Sequence, residues 1–170
     1  MSSVPTWKRN IDETLKVQVF ASKIRLEIDS LMIRKFWLRD RNNAIRKRHR
    51  PNQNEPITFD EFKWWFRNEQ KALSIFCANL QANIAGANSI HPYYVSEFLM
   101  RRNYHDRAIA NVIQIKRELN YICDVANVNV NKYTEITSDL DEELTMLKSW
   151  KRSLNKIKKN LIDIDKLDNK

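Results

Sequence analysis

The densest group of residues able to bind a ligand lies between positions 34 and 50. This basic segment holds eight Lys or Arg residues, one His and one acid, interleaved with aromatic and aliphatic side chains. Cations set along a strip can bind a phosphate backbone, and Trp37 could stack on an unpaired base. The alternative is a solvated helix face, but this excess of base over acid exceeds what solubility requires and favours nucleic acid. The predicted nucleic-acid contacts in this segment are Arg34, Lys35, Arg39, Arg41, Arg46, Lys47, Arg48 and Arg50.

A second basic strip lies near the end of the sequence, where no acid occurs from Lys148 through Leu161. The residues before it are rich in acids, so a helix here would carry acids near its N-terminus and bases later. The helix dipole alone could account for that order, and both interpretations stay open. The predicted nucleic-acid contacts in this strip are Lys148, Lys151, Arg152, Lys156, Lys158 and Lys159.

A third basic group consists of Arg101, Arg102, His105 and Arg107. It coincides with a polar run in which we expect a helix to break, near Asn103. A loop at that break would present these side chains to a partner. Arg101, Arg102 and Arg107 therefore join the predicted nucleic-acid contacts.

Two adjacent tryptophans, Trp64 and Trp65, form the most unusual aromatic cluster in the sequence. Neighbours on a helix are about 100° apart, so both side chains can hardly face one core. We expect Trp64 to be free to stack on a base or to anchor a protein partner, with Lys63 and Arg67 beside it. The alternative is a wide apolar stripe buried between two neighbouring helices.

No group of residues indicates catalysis. His49, His91 and His105 lie in basic or turn contexts, and none pairs with a carboxylate at a metal-ligand spacing. Glycine-rich phosphate loops are excluded because Gly86 is the sole glycine. We therefore expect no enzyme activity, no metal and no cofactor. The acids that we expect to form a solvated helix cap are Asp139, Asp141, Glu142 and Glu143.

The composition limits the class of protein. The 170 residues include 30 Lys or Arg against 21 Asp or Glu, a formal charge of +9 that predicts attraction to polyanions such as RNA or DNA. One glycine is too few for the turns of a sheet protein and favours helices. Cys77 and Cys123 lie in separate apolar stretches, which indicates buried, reduced thiols. With neither a signal sequence nor a long apolar run, we expect a cytoplasmic protein that does not enter a membrane.

The spacing of apolar residues predicts where the first three helices lie. The first begins at Thr6, and its continuity through residues 40–43 is left open. The second follows a turn at residues 51–56 and ends near Ala87, with Gly86 as part of the stop signal. The third begins after Pro92. The apolar positions of these helices are Val17, Phe20, Ile24, Ile28 and Leu31, then Phe62, Trp65, Phe66, Leu73, Phe76, Leu80 and Ile84, then Val95, Phe98, Leu99, Ile109, Val112, Ile115, Leu119 and Ile122.

The last helix has the clearest pattern, because leucines recur every seven residues from Leu140 to Leu161. Trp150, Ile157 and Ile164 take the second core position of the heptad, where Glu143 is the exception. The pattern predicts a rod of about 30 residues and roughly 45 Å. The four helices together predict an all-α fold, an antiparallel four-helix bundle with long helices, as a single domain over residues 1–170 with a fraying tail at 165–170.

The order of these features resembles the accessory variability determinant (Avd) family of diversity-generating retroelements. The similarity covers roughly Thr58 to Lys159 and rests on the asparagine-rich turn before "NKYTEI" and on "LKSWKRSLNKIK" in the closing helix. It implies a homopentameric, non-catalytic protein that binds a reverse transcriptase and its template RNA. The family's basic surface would correspond to Lys148, Lys151, Arg152, Lys156 and Lys158. The long first helix and its basic segment depart from the family pattern.

The sequence therefore favours an RNA-binding accessory subunit that associates with a reverse transcriptase and supports mutagenic cDNA synthesis. A small helical subunit of another nucleoprotein complex, such as a CRISPR effector, is the first alternative. A purely structural interaction protein, whose last helix pairs with a partner through its heptad seam, is the second.

Overall fold

A computed structural model describes residues 6–33, 49–50, 53–56, 59–126, 133–158 and 161 of the chain. Four α-helices account for nearly all of these residues, and they confirm the predicted all-α class. A short antiparallel pair of strands lies between the first and second helices. The elements in chain order are α1 (Thr6–Ile33), β1 (His49–Arg50), β2 (Gln53–Pro56), α2 (Phe59–Ser89), α3 (Val95–Ala126) and α4 (Thr134–Ile157).

The helices form a ring in which α2 and α4 each pack against both α1 and α3. Side-chain pairs show that consecutive helices are antiparallel. Lys116 of α3 pairs with Asp141 of α4, and Lys151 of α4 pairs with Asp106 of α3. The start of α3 therefore lies against the end of α4. In the same sense, Trp65 near the start of α2 meets Tyr121 near the end of α3, and Gly86 near the end of α2 lies against Tyr104 in the first half of α3. The predicted antiparallel four-helix bundle is therefore confirmed.

The core consists of one apolar stripe from each helix, as the helical spacing predicts. Burial of these stripes is the main favourable term that holds the bundle together. Phe20, Leu31, Trp65 and Phe76 are half-buried at the edges of the core. The fully enclosed side chains include Ile24, Ile28, Leu73, Leu80, Ile84, Phe98, Ile115, Ile122, Leu140, Leu147 and Leu154.

The predicted break near Asn103 is wrong, because α3 runs without interruption from Val95 to Ala126. The polar run contains no proline or glycine. Buried side chains continue through it at helical spacing, at Phe98, His105 and Ala108. Polar residues between buried positions therefore mark the outer face of a continuous helix. The α3 start is fixed by Glu97, whose carboxylate accepts hydrogen bonds from the backbone N–H groups of Tyr93 and Tyr94 at 2.8 and 3.1 Å.

α2 ends at Ser89, two residues after the predicted stop near Ala87, and Gly86 lies inside the helix rather than at its end. A Cβ atom at this position would lie 2.7 Å from the Tyr104 ring of α3. Glycine is required here because the ring packs directly on the α2 backbone.

Two further expectations are corrected at the ends of elements. Residues 51–56 were predicted as a turn alone, whereas 53–56 form the second strand of the pair, with Arg50 opposite Gln53. The last helix ends at Ile157, so Leu161 lies outside it, and Ile164 lies outside the described residues. None of the described helices combines the length and the apolar character needed to cross a bilayer.

Candidate nucleic-acid interface

The exposed cations at the C-terminal end of α4 form the clearest basic surface. We call Lys148, Arg152, Lys156 and Lys158 the α4 strip. All four are exposed, and none of them makes an ion pair with a carboxylate in the described part of the chain. The opposite face of α4 is buried, so the helix is anchored on the core and presents Lys148, Arg152 and Lys156 outward, with Lys158 directly after its end.

Lys151 lies next to the α4 strip but does not share its freedom. Its Nζ atom pairs with the carboxylate of Asp106 on α3. The ammonium group is half-covered and its charge is already compensated within the fold. Of the predicted contacts in the last helix, Lys151 is therefore the one that the bundle itself uses.

The third predicted group is split by its position on α3. Arg101 is only 7% exposed, and its guanidinium carbon lies 5.6 Å from the centre of the Trp150 ring. His105 is fully buried, with its ring centre 4.0 Å from that of Trp150. Burial and the nearby Arg101 charge lower the pKa of His105 to about 4, so the imidazole is neutral at pH 7. Neither side chain is presented to a partner, and Arg101 is withdrawn from the predicted nucleic-acid contacts.

Arg102 and Arg107 leave α3 in different directions. Arg102 is half-buried and lies one turn before Asp106, the residue that pairs with Lys151 of α4. Arg107 is exposed and lines a cleft between α2 and α3 on the other flank. The cleft has a volume of about 380 Å³, and five of its six lining residues are polar. They are Asn79, Asn83, Arg107, Asn111 and Gln114, with Ala110 as the sixth.

The aromatic pair on α2 divides as predicted. Trp64 is 69% exposed, whereas Trp65 is half-buried against the core and meets Tyr121 edge-on at 5.9 Å. Lys63 and Arg67 are exposed beside Trp64. The indole, an ammonium and a guanidinium therefore share one outer surface of α2, a combination typical of interaction hot spots.

The predicted solvated acidic cap is wrong for two of its four members. Asp139 is 9% exposed, and its carboxylate accepts a hydrogen bond from Lys23 of α1 at 2.9 Å. Glu143 is fully buried, and neither carboxylate oxygen has a hydrogen-bond partner in the described part of the chain. Burial raises the pKa of Glu143 to about 8, so the side chain is mostly uncharged at pH 7. The heptad position of Glu143 was the signal that could have predicted its burial.

The cysteines and the heptad seam of α4 belong to the packed interior of the described residues. Both thiols are free and buried, as predicted, and burial raises the pKa of Cys77 to about 12. No group of three His, Cys, Asp or Glu residues that could hold a metal ion occurs among them. The heptad seam of α4 is filled by the chain's own helices, since Leu147 and Leu154 lie in the core with at most 2% exposure. The seam is therefore not the contact that the second alternative assigned to a partner helix, and the structural role itself stays a prediction.

A groove of about 650 Å³ runs along α1 beside the start of α4. Its walls include Lys23, Glu27 and Glu135, together with the aliphatic side chains of Val19 and Leu26. Val19 is 61% exposed and Leu26 is 70% exposed. These are the most exposed aliphatic side chains among the described residues of α1.

Several predicted contacts lie outside the described residues. Arg50 lies in β1, where the backbone alone is described. The continuity of the first helix through residues 40–43 also falls outside. The other predicted contacts in this category are Arg34, Lys35, Trp37, Arg39, Arg41, Arg46, Lys47, Arg48 and Lys159.

Comparison with known proteins gives no relative for this chain. No protein-family model matches the sequence, and no curated protein or solved structure is significantly similar to it. The chemistry of the α4 strip and of the cleft therefore carries the functional argument.

Proposed function

We propose that this protein is a non-catalytic RNA-binding accessory subunit in which the α4 strip holds the phosphate backbone. The observation that carries the proposal is that these four cations are exposed, three on an anchored helix and Lys158 at its end, and that none pairs with a carboxylate among the described residues. In a folded protein of formal charge +9, such cations are available to phosphates rather than committed to the fold.

The spacing of the strip supports binding to an extended backbone. Lys148, Arg152 and Lys156 follow one another at intervals of four residues, which places them about 6 Å apart along the helix axis. Their side chains are long, so each can reach a separate phosphate of a flexible strand. Arg152 can bind its phosphate bidentately, which fixes the strand more firmly than an ammonium does.

The helix dipole accounts for part of this strip only. Its attraction for cations falls off within the last turn, which in α4 ends at Ile157. Lys156 and Lys158 lie in that region, whereas Lys148 and Arg152 lie before it. The earlier two cations therefore need another explanation, and a bound polyanion supplies one.

The proposal includes the partners that the resemblance to the Avd family implies, which are a reverse transcriptase and its template RNA. DNA or cDNA would bind to the same cations, since the contacts are to phosphates. Trp64 with Arg67 is the surface that we assign to the protein partner, because large aromatics and Arg dominate binding energy at interfaces. Assembly into a homo-oligomer, a pentamer in that family, would cover the exposed Val19 and Leu26. Light scattering of the chain alone and with the reverse transcriptase tests this part separately from RNA binding.

The direct test is the removal of charge from the strip. Replacing Lys148, Arg152 and Lys156 together by Gln removes three cations without disturbing the core. We expect RNA affinity at about 0.1 M salt to fall at least tenfold, and the slope of log K against log salt to decrease by about two. Fluorescence anisotropy with a labelled single-stranded RNA, repeated from 50 to 200 mM salt, measures both quantities.

The matched control removes the same number of charges elsewhere. Lys16, Arg67 and Lys71 are exposed cations on α1 and α2, and their replacement by Gln gives an identical net charge. We expect this variant to keep most of its RNA affinity and its salt slope. Equal losses in the two triple variants would show that only the net charge matters, and would overturn the assignment to α4.

A further inference from the structure

The cleft between α2 and α3 contains a chain of hydrogen-bonded amides. The side-chain nitrogen Nδ2 of Asn83 in α2 donates to the side-chain oxygen Oδ1 of Asn111 in α3 at 2.8 Å. Nδ2 of Asn111 in turn donates to the side-chain oxygen Oε1 of Gln114 at 3.1 Å. Asn111, the middle member of this chain, is 8% exposed, whereas Asn83 is half-buried and Gln114 is exposed at the cleft surface.

Both ends of the amide chain keep unused hydrogen-bonding capacity. The carbonyl oxygen of Asn83 and the amide nitrogen of Gln114 have no partner among the described residues. The carboxamide of Asn79 and the guanidinium of Arg107 also make no side-chain hydrogen bond or ion pair there. The cleft therefore offers acceptors, donors and one uncompensated positive charge to an incoming molecule.

A purely structural role explains only part of this arrangement. A buried Asn pair can fix the register of two helices, and Asn83 with Asn111 suffices for that. Such a lock does not call for an unpaired Asn79 and Arg107 at the rim. It also does not call for a small side chain, Ala110, between them, which keeps the cleft open.

The chemistry of the lining matches a nucleotide. Carboxamides carry a donor and an acceptor side by side, as the edges of nucleobases do, and they pair with them bidentately. A guanidinium matches a phosphate. No carboxylate lines the cleft to repel that phosphate, and its volume of about 380 Å³ falls within the usual range for small-ligand sites.

We propose that this cleft holds one unpaired nucleotide of the bound RNA. The base edge faces Asn79, Asn83 and Gln114, and the phosphate lies at Arg107. This inference rests on the proposed function, since the same RNA strand would continue to the α4 strip. Arg107 lies on the α2 side of α3 and α4 packs on the other side, so the strand would cross the outer face of α3, a width of about 10 Å, to reach α4. The site would make the protein selective for single strands, because a duplex keeps its base edges paired.

The sharpest test fills the cleft without removing a polar group. Ala110→Leu places a larger side chain among the amides, and leucine is a good helix former. We expect affinity for a ten-nucleotide single-stranded RNA to fall about tenfold, which corresponds to the loss of one bidentate base contact. Affinity for a blunt RNA duplex with the same number of phosphates should stay within about twofold. Ala85→Leu, on the exposed far side of α2, is the control and should change neither affinity.

A second variant covers the case in which Ala110→Leu disturbs the seam. Arg107→Gln changes an exposed side chain without altering packing, and Lys71→Gln is its control on α2. We expect Arg107→Gln to reduce single-strand affinity severalfold more than Lys71→Gln does. Unchanged single-strand affinity in both Ala110→Leu and Arg107→Gln, with an unchanged thermal melting temperature, would overturn the inference.

A third measurement separates this inference from the RNA-binding proposal. Each of the four nucleoside monophosphates, added to the full chain at millimolar concentration, should shift the side-chain amide NMR signals of Asn79 and Asn83. The shifts should persist in the Lys148, Arg152 and Lys156 triple Gln variant and disappear in Ala110→Leu. If the α4 strip does not bind RNA, the NMR shifts caused by the nucleotides would still be seen. If the cleft only fixes the register of α2 and α3, no nucleotide would cause a shift.

Discussion

The two halves of α4 use their charges in opposite ways. In the first half, Asp139 and Asp141 pair with Lys23 and Lys116 of neighbouring helices, and Glu143 is buried. In the second half, the α4 strip is exposed and has no ion pair among the described residues, where Lys151 is the cation tied to a neighbouring helix. The first half therefore commits three of its five acids to the bundle, with Glu135 and Glu142 exposed, whereas the second half leaves most of its cations available to a partner.

The comparison teaches that counting charges along a sequence does not show which of them can bind a ligand. Both halves carry several charges and belong to the same helix with the same apolar seam. What differs is whether an opposite charge lies across the groove on α1 or α3. The predictions below change that relation in one half at a time.

The largest effect is expected from the buried acid of the first half. The pKa of Glu143 is raised from 4.5 to about 8 by burial. Between those two values the unfolded chain binds fewer protons at this position than the folded chain does, so stability falls as pH rises through that window. Glu143→Leu removes the dependence and should increase the free energy of unfolding at pH 8.5 by on the order of 3 kcal/mol, with a smaller gain at pH 5.

Urea unfolding of the parent and Glu143→Leu across pH 5–9 measures this difference. Glu135→Gln, at an exposed position of the same helix away from Glu143, is the control and should leave the pH profile unchanged. Some dependence should remain below pH 7, because burial and the nearby Glu69 raise the pKa of Glu118 to about 7. If the free energy of unfolding changes with pH in the same way in the parent and in Glu143→Leu, Glu143 is not a buried neutral acid. It would then be charged in the folded state and compensated by a partner.

The next prediction makes the second half resemble the first. Lys148→Glu places an acid four residues before Arg152, an orientation that forms a favourable pair on one helix. Two cations of the strip are lost at once, one by replacement and one by pairing. We expect RNA affinity to fall at least about tenfold, whereas helix stability rises by a few tenths of a kcal/mol.

Anisotropy titrations of Lys148→Glu, Lys148→Gln and Lys71→Glu at one salt concentration test this reasoning. Lys71→Glu changes the net charge equally but lies on α2. The loss should be largest for Lys148→Glu and smallest for Lys71→Glu. If Lys71→Glu weakens binding as much as Lys148→Glu does, the α4 strip has no special role.

The helical spacing of apolar residues was enough to predict most of the fold. Val17, Ile24 and Ile28 recur at helical spacing and are all buried. The predicted α2 and α3 positions are buried or half-buried except Leu99, which is 55% exposed, so its assignment to the apolar side of α3 is wrong. Burial of one stripe per helix is a local property that spacing reveals. The short strand pair was missed because two and four residues are too few for any period to show.

The candidate site was harder to predict because it depends on neighbours across the bundle. Arg101 and Arg102 are adjacent and equally basic, yet one packs on Trp150 and the other lies towards the surface. A rotation of about 100° separates these two outcomes. Likewise, the amide cleft brings Asn79 and Asn83 to Asn111 and Gln114, and no spacing along the sequence links α2 with α3.

The smallest effect is expected from releasing the one cation that the second half has committed. Asp106→Asn removes the partner of Lys151, which then becomes available beside the α4 strip. We expect RNA affinity to rise about two- to threefold at low salt, since an exposed ion pair contributes little and its cation gains one phosphate contact. Asp141→Asn is the matched control, because it releases Lys116 of α3 from its pair with the first half of α4 and changes the net charge equally.

Equal increases in both variants would contradict the difference between the halves, because RNA would then respond to net charge wherever it lies. An increase confined to Asp106→Asn would show that the position of a free cation along α4 decides whether it reaches the strand.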